Sequence, residues 1–153
     1  MSHRSECDEL KEMFMQQLIS LRDEKNQFLT AYFPNYGSRR IQVEKLLTSY
    51  TRMLEQLMER PPSEWRNIVL IGCGVMVTYM DDGMTESFTI VLPDEAQPDI
   101  NRISFFSPIA EQLLMCTSGD LISMNTNIGA YQVRIDRIWW SEVNREVERG
   151  TAP

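Results

Sequence analysis

The sequence predicts an α+β protein: an N-terminal antiparallel coiled-coil hairpin (residues 1–62), an antiparallel β-sheet domain with one short helix (63–142), and a charged tail (143–153). Three observations carry this prediction. Apolar residues recur at alternating spacings of four and three through the first sixty positions, the mark of a helical seam. After Trp65 the period falls to two, with Gly- and Asp-containing turns between short apolar runs. Between these regimes lies "RPPSEW", where consecutive prolines stop a helix and set the boundary.

The first helix is expected from Ser5 to about Ala31. Ser5 can serve as its N-cap, and Glu6, Asp8 and Glu9 place negative charge where the helix dipole favours it. Phe14, Leu18, Leu21, Phe28 and Tyr32 form its seam, interrupted by Lys25. "YFPNYGS" (32–38) then gathers Pro34, Asn35 and Gly37 into a turn. Ser38 is expected to cap a second helix reaching about Arg60, with Val43, Leu47, Tyr50, Leu54 and Leu57 on its seam. Two narrow seams joined by a short turn face each other, giving a hairpin roughly 35 to 40 Å long at about 1.5 Å per residue.

The β domain is expected in the order β-β-β-α-β-β. "NIVLIGCGVMVTYM" supplies one or two strands, bent at Gly72 and Gly74, and "DDG" (81–83) is a hairpin turn into "TESFTIVL". "PDEAQPDIN" reads as a polar loop, "RISFF" as a strand, and "PIAEQLLM" as the helix. That helix has Ser107 as its cap and Pro108 in its first turn, where a missing N–H does no harm. Ile109, Leu113 and Leu114 are expected to face the sheet, with Gly119 reversing the chain into "DLISMN". "TNIG" then turns into a last strand carrying Val133, Ile135 and Ile138.

Composition narrows the function. The net charge is −7, and its excess lies wholly in the second part: nine Lys/Arg face nine Asp/Glu in residues 1–60, against six and thirteen beyond. An acidic surface disfavours direct duplex DNA binding, which depends on Lys and Arg displacing counterions. No run of about eighteen apolar residues exists to span a membrane, and the N-terminus has no apolar signal segment, so a cytoplasmic protein is expected. Cys7, Cys73 and Cys116 lack metal or disulfide spacing, and His3 is the only histidine. No metal and no cofactor is therefore expected. "GCGV" lacks the helix and third glycine of a dinucleotide fingerprint, and Asp81-Asp82 and Asp94-Glu95 read as solvated loops.

The run of strand, "SPIA", "LL", a "GD" turn, strand, a turn with Gly129 and a strand ending "VRIDRI" resembles the C-terminal domain of the bacterial Gre transcription factors. That family is GreA/GreB-like and includes the regulator of nucleoside diphosphate kinase. The resemblance implies an FKBP-like domain behind a coiled-coil hairpin. It further implies RNA polymerase as partner, with the β domain docking at the rim of the secondary channel and the hairpin directed into it. Ser107 and Pro108 match the family's polymerase-contacting loop, and Phe106 stands where relatives often carry a polar or acidic residue.

In the family's cleavage factors, paired carboxylates at the hairpin tip help to hold a magnesium ion. Such an ion needs oxygen ligands and negative charge. Here the tip "FPNYGSRR" has no Asp or Glu; the nearest are Asp23-Glu24 and Glu44. The expectation is a polymerase-binding regulator that is not an enzyme. It would be monomeric and would present Asn35, Tyr36, Arg39 and Arg40 at the tip. Two other readings stand beside it. A coiled-coil adaptor would pair its seam between chains and use Met13, Met15, Met53 and Met58 as contact surface. A prolyl isomerase would need an aromatic pocket, for which Phe105, Phe106 and "RIWW" are the available rings.

Overall fold

The computed structural model describes residues 5–140; His3 and the predicted charged tail lie outside them. The chain divides into two compact units at Trp65/Arg66, three residues beyond the position read from the prolines.

The first unit is a helical hairpin. Helix α1 spans Glu6–Leu18, a π-helical turn spans Ile19–Asp23, α2 spans Lys25–Tyr32 and α3 spans Ser38–Met58. Ser5 is the N-cap of α1, accepting from the Asp8 N–H at 3.1 Å. Leu10, Phe14, Leu18, Leu21 and Leu29 are buried on the first arm; Val43, Leu47, Tyr50, Leu54 and Leu57 are buried on α3. At the base of the hairpin, the Trp65 indole N–H donates to the Leu57 carbonyl at 2.7 Å. Its ring meets Phe14 edge-on at 5.5 Å.

Two expectations are corrected here. The first arm is not one continuous α-helix: the Glu24 N–H bonds to the Ile19 carbonyl at 2.9 Å, five residues back. A π-turn inserts one extra residue into the helical count. The seam therefore advances by one. Leu29 is buried, while the predicted Phe28 is half-buried and Tyr32 is exposed, their rings packed on each other at 4.9 Å. The second correction concerns Ser38. It is the first residue of α3, and the extended Gly37 is the N-cap, with no side-chain cap bond.

The second unit holds β1 (Gly74–Tyr79), β2 (Thr85–Val91), β3 (Arg102–Ser104), helix α4 (Pro108–Leu113), β4 (Leu121–Thr126) and β5 (Gly129–Trp139). The sheet order is β3-β2-β1-β5-β4. The sheet is mixed, because β3 pairs parallel with β2 while every other pairing is antiparallel. The polar loop explains the difference. It contains two short 3-10 turns and carries the chain back before Asn101, at φ 59°, turns it into β3. A tight hairpin would have reversed direction; a return crossover does not.

Register places Val75 opposite Phe88 and Val77 opposite Ile135, all four buried. Between β1 and β5 the register slips at Met76/Val77, leaving Asp136 as the extra residue of a β-bulge. The bulge accounts for the uneven spacing of Val133, Ile135 and Ile138. Gly74 is explained by packing, since a Cβ there would overlap the Trp139 indole. The sharp bend belongs to Gly72, at φ 105°. On α4, Ala110 and Leu113 are buried and Leu114 follows them, whereas Ile109 is only half-buried. Cys73 is enclosed, and burial pushes its thiol up to about 12.

Candidate functional site

Sequence reasoning places functional residues at the hairpin tip and in the loop that starts α4. Each is described within its own unit.

At the tip, α2 stops at Tyr32 and α3 begins at Ser38. Asn35 and Tyr36 are exposed, as expected. Arg39 is exposed as well, its guanidinium 5.8 Å from the Phe33 ring and within 3.5 Å of the Gln42 side-chain oxygen. Arg40 departs from expectation, since it is 8% exposed and turned back into the hairpin. It donates to the Phe33 carbonyl at 2.8 Å, filling a bond that the end of α2 leaves open. The same guanidinium lies 4.3 Å from the centroid of the Tyr36 ring. Two clefts flank the turn: about 360 Å³ beside Phe33, Pro34 and Arg39, and about 500 Å³ between Asn26, Thr30, Tyr36 and Ile41.

Of the three acids closest to the tip, Asp23 and Glu44 are engaged in ion pairs and Glu24 is exposed. Glu44 pairs with Lys25 at 3.5 Å, and Asp23 pairs with Arg22 at 2.9 Å. Arg22 also reaches Glu55 at 3.2 Å. Its hydrogen bond holds the Asp23 carboxyl below the usual carboxylate range. Among the described residues, no group of three or more His, Cys, Asp or Glu side chains is arranged to hold a metal ion. The tip's chemistry is therefore cationic and aromatic.

In the β domain, Phe105 is buried while Phe106 is half-buried, the two rings meeting edge to face at 5.3 Å. The Phe106 N–H donates to Ser104 Oγ at 3.3 Å, and the Ser107 N–H to the Ser104 carbonyl at 2.9 Å. Ser107 is the N-cap of α4, its hydroxyl accepting from Ala110 N–H at 3.4 Å, and Pro108 is exposed beside it. The three predicted docking residues thus form one short surface segment on a fixed backbone.

Sequence reading missed Gln112. Its side-chain N–H donates to the Pro108 carbonyl at 2.8 Å and to the Asn125 carbonyl at 3.2 Å, while its oxygen accepts from Asn125 N–H at 2.8 Å. One amide thereby ties the start of α4 to the edge of β4 and occupies backbone groups that an edge strand otherwise leaves open. The position four residues after Pro108 is a local signal; the pairing with Asn125 has none.

Residues 64–139 match the family described as "Transcription elongation factor, GreA/GreB, C-term". Transcription elongation factor GreA of Thermomicrobium roseum is 35% identical over 80 residues, covering 52% of this chain and 50% of that protein. GreA of Bacillus licheniformis is 42% identical over 72 residues, covering 47% and 46%. The chain thus spans about half the length of these relatives. Among solved structures, the GreA/GreB elongation factor from Nitrosomonas europaea shares the fold, with TM-score 0.54 and 19% identity over 77% of this chain and 93% of that one. With its mixed sheet, its short Ser-Pro helix and the helical hairpin ahead of them, this chain belongs to the GreA/GreB family of transcription elongation factors.

Proposed function

We propose that this protein is an RNA polymerase-binding regulator of transcription that cuts no transcript. It docks through Phe106, Ser107 and Pro108 and directs its hairpin into the polymerase secondary channel. The observation that carries this reading is the pairing of a GreA/GreB-type β domain with a tip that bears arginines and no carboxylate between Lys25 and Glu44. A divalent ion at a phosphodiester requires oxygen donors with negative charge. Of the three acids nearest the tip, Glu44 is paired with Lys25 and Asp23 with Arg22, and the described residues group no three such side chains for a metal ion.

On this reading the protein acts by occupying space and presenting charge, without an enzyme's chemistry, and works as a monomer in the cytoplasm. The intramolecular seam supports the monomer, because the buried apolar residues of each arm already face the other arm. Polymerase, and not duplex DNA, is the partner that an acidic chain with a small basic tip suits.

The test uses purified bacterial RNA polymerase stalled on a template with labelled transcript and magnesium. The protein is expected to bind the stalled complex and leave transcript length unchanged. Shortened transcripts would overturn the non-cleaving reading, and absence of binding would overturn the whole proposal.

A further inference from the structure

We propose that Tyr36 is a stacking platform for an unpaired nucleobase, and that the hairpin tip binds single-stranded RNA through it. Tyr36 is 87% exposed although the Arg40 guanidinium lies 4.3 Å from its ring centroid. One face of the ring is therefore supported and the other is left to solvent. The support is itself anchored, since Arg40 is buried and bonded to the Phe33 carbonyl at 2.8 Å. A ring held this way loses little conformational freedom when a second flat group stacks on it. Aromatic platforms of this kind are how proteins hold single strands without reading their sequence.

Charge favours the same ligand. Residues 26–43 contain Arg39 and Arg40 and no Asp or Glu, within a chain whose net charge is −7. The acid-free stretch that spans the hairpin tip thus carries both the two arginines and the exposed aromatic ring. Arg39 can meet a backbone phosphate, and the Asn26 and Thr30 side chains in the adjoining cleft of about 500 Å³ can meet base edges; Glu44 also lines that cleft, its charge offset by Lys25 at 3.5 Å. A duplex is a poor fit, because its bases are already stacked and offer Tyr36 no open π-face. The platform deepens the function proposed above by naming what the tip meets, and its place within polymerase rests on that reading.

The test titrates the full chain into a fluorescein-labelled hexa-adenylate RNA, without polymerase, and follows anisotropy at low salt. Saturable binding is expected, with Tyr36→Phe equal to the parent and Tyr36→Ala weaker by about tenfold, the size of one lost stack. Arg39→Ala should weaken binding and flatten its salt dependence. An abasic hexamer of equal charge should bind about tenfold less tightly than hexa-adenylate. Thermal melting checks that each variant is folded.

Absence of saturable binding, equal binding of the abasic strand, or an unaffected Tyr36→Ala would each overturn the platform. Tyr36→Ala that loses polymerase while binding RNA like the parent would assign the ring to a protein wall instead. Capture of polymerase by the same preparations separates the two readings. Capture without RNA binding sinks the platform alone, whereas RNA binding without capture sustains the platform and sinks the polymerase reading.

Discussion

The Tyr50 hydroxyl donates to the Gln17 side-chain oxygen at 2.6 Å, across the interface between the two arms of the hairpin. Both residues are buried, Gln17 at 5% exposure and Tyr50 at 0%. A polar pair in an apolar seam fixes register, because any slip leaves both groups desolvated without partners. Replacing Tyr50 by Phe is expected to destabilise the protein by about 1 to 3 kcal/mol, the cost of orphaning a buried acceptor. Urea denaturation measures it; an unchanged midpoint would show that the pair contributes nothing to register.

The π-turn makes a second, sharper forecast. Beyond it Leu29 carries the seam, while Phe28 and Tyr32 lean on each other outside. Leu29→Ala should cost about 2 to 5 kcal/mol, as a large-to-small change in a packed interior does. Tyr32→Ala, at an exposed position, should cost less than about 1 kcal/mol. The opposite order, measured by chemical denaturation, would mean that the first arm runs as an uninterrupted helix with Tyr32 inward.

Asp136 links stability to acid. As the bulge residue of β5 it accepts from Arg134 Nε at 2.6 Å and from the Thr78 hydroxyl. The Arg134 bond first, then Thr78, hold its carboxyl below the usual range. A depressed folded-state value contributes stability that is present above the unfolded value near 3.9 and is lost as pH falls through the folded one. The carboxyl resonance of Asp136 should therefore titrate with a midpoint below about 3.9. In Asp136→Asn, the fall in melting temperature between neutral pH and pH 3 should be smaller than in the parent; an identical fall would remove Asp136 from the acid response.

Much of this fold is legible in local sequence signals. The Ser5 and Ser107 caps, the Pro61-Pro62 stop and the turns at Gly83, Gly119 and Gly129 act through a few neighbouring residues, and the structure places them as the sequence suggests. What escaped depends on partners far along the chain. The π-turn changes one hydrogen bond in a helix whose residue types are ordinary helix formers, so spacing alone placed the seam on Phe28 and Tyr32. The parallel pairing of β2 with β3 is decided by the path of a polar loop that has no strong periodicity. Arg40 read as a tip cation because two adjacent arginines after a turn look alike. Only the unfilled Phe33 carbonyl distinguishes them, drawing Arg40 inward and leaving Arg39 outside. The Ser107-Pro108 segment was visible, and Gln112 was not, for the same reason: a cap is local and a clamp to Asn125 is not.

Docking on RNA polymerase through the loop at the start of α4 is tested by the affinity of the purified full chain for bacterial RNA polymerase, compared with Pro108→Ala. Pro108 is exposed at the first turn of α4, where alanine is also tolerated, so the variant should fold and melt like the parent. Saturable binding that weakens by about tenfold in Pro108→Ala, the size of a single interface anchor, is the predicted result. Binding equally strong in both proteins would remove the loop from the interface, and no binding by either at low or moderate salt would contradict polymerase as the partner.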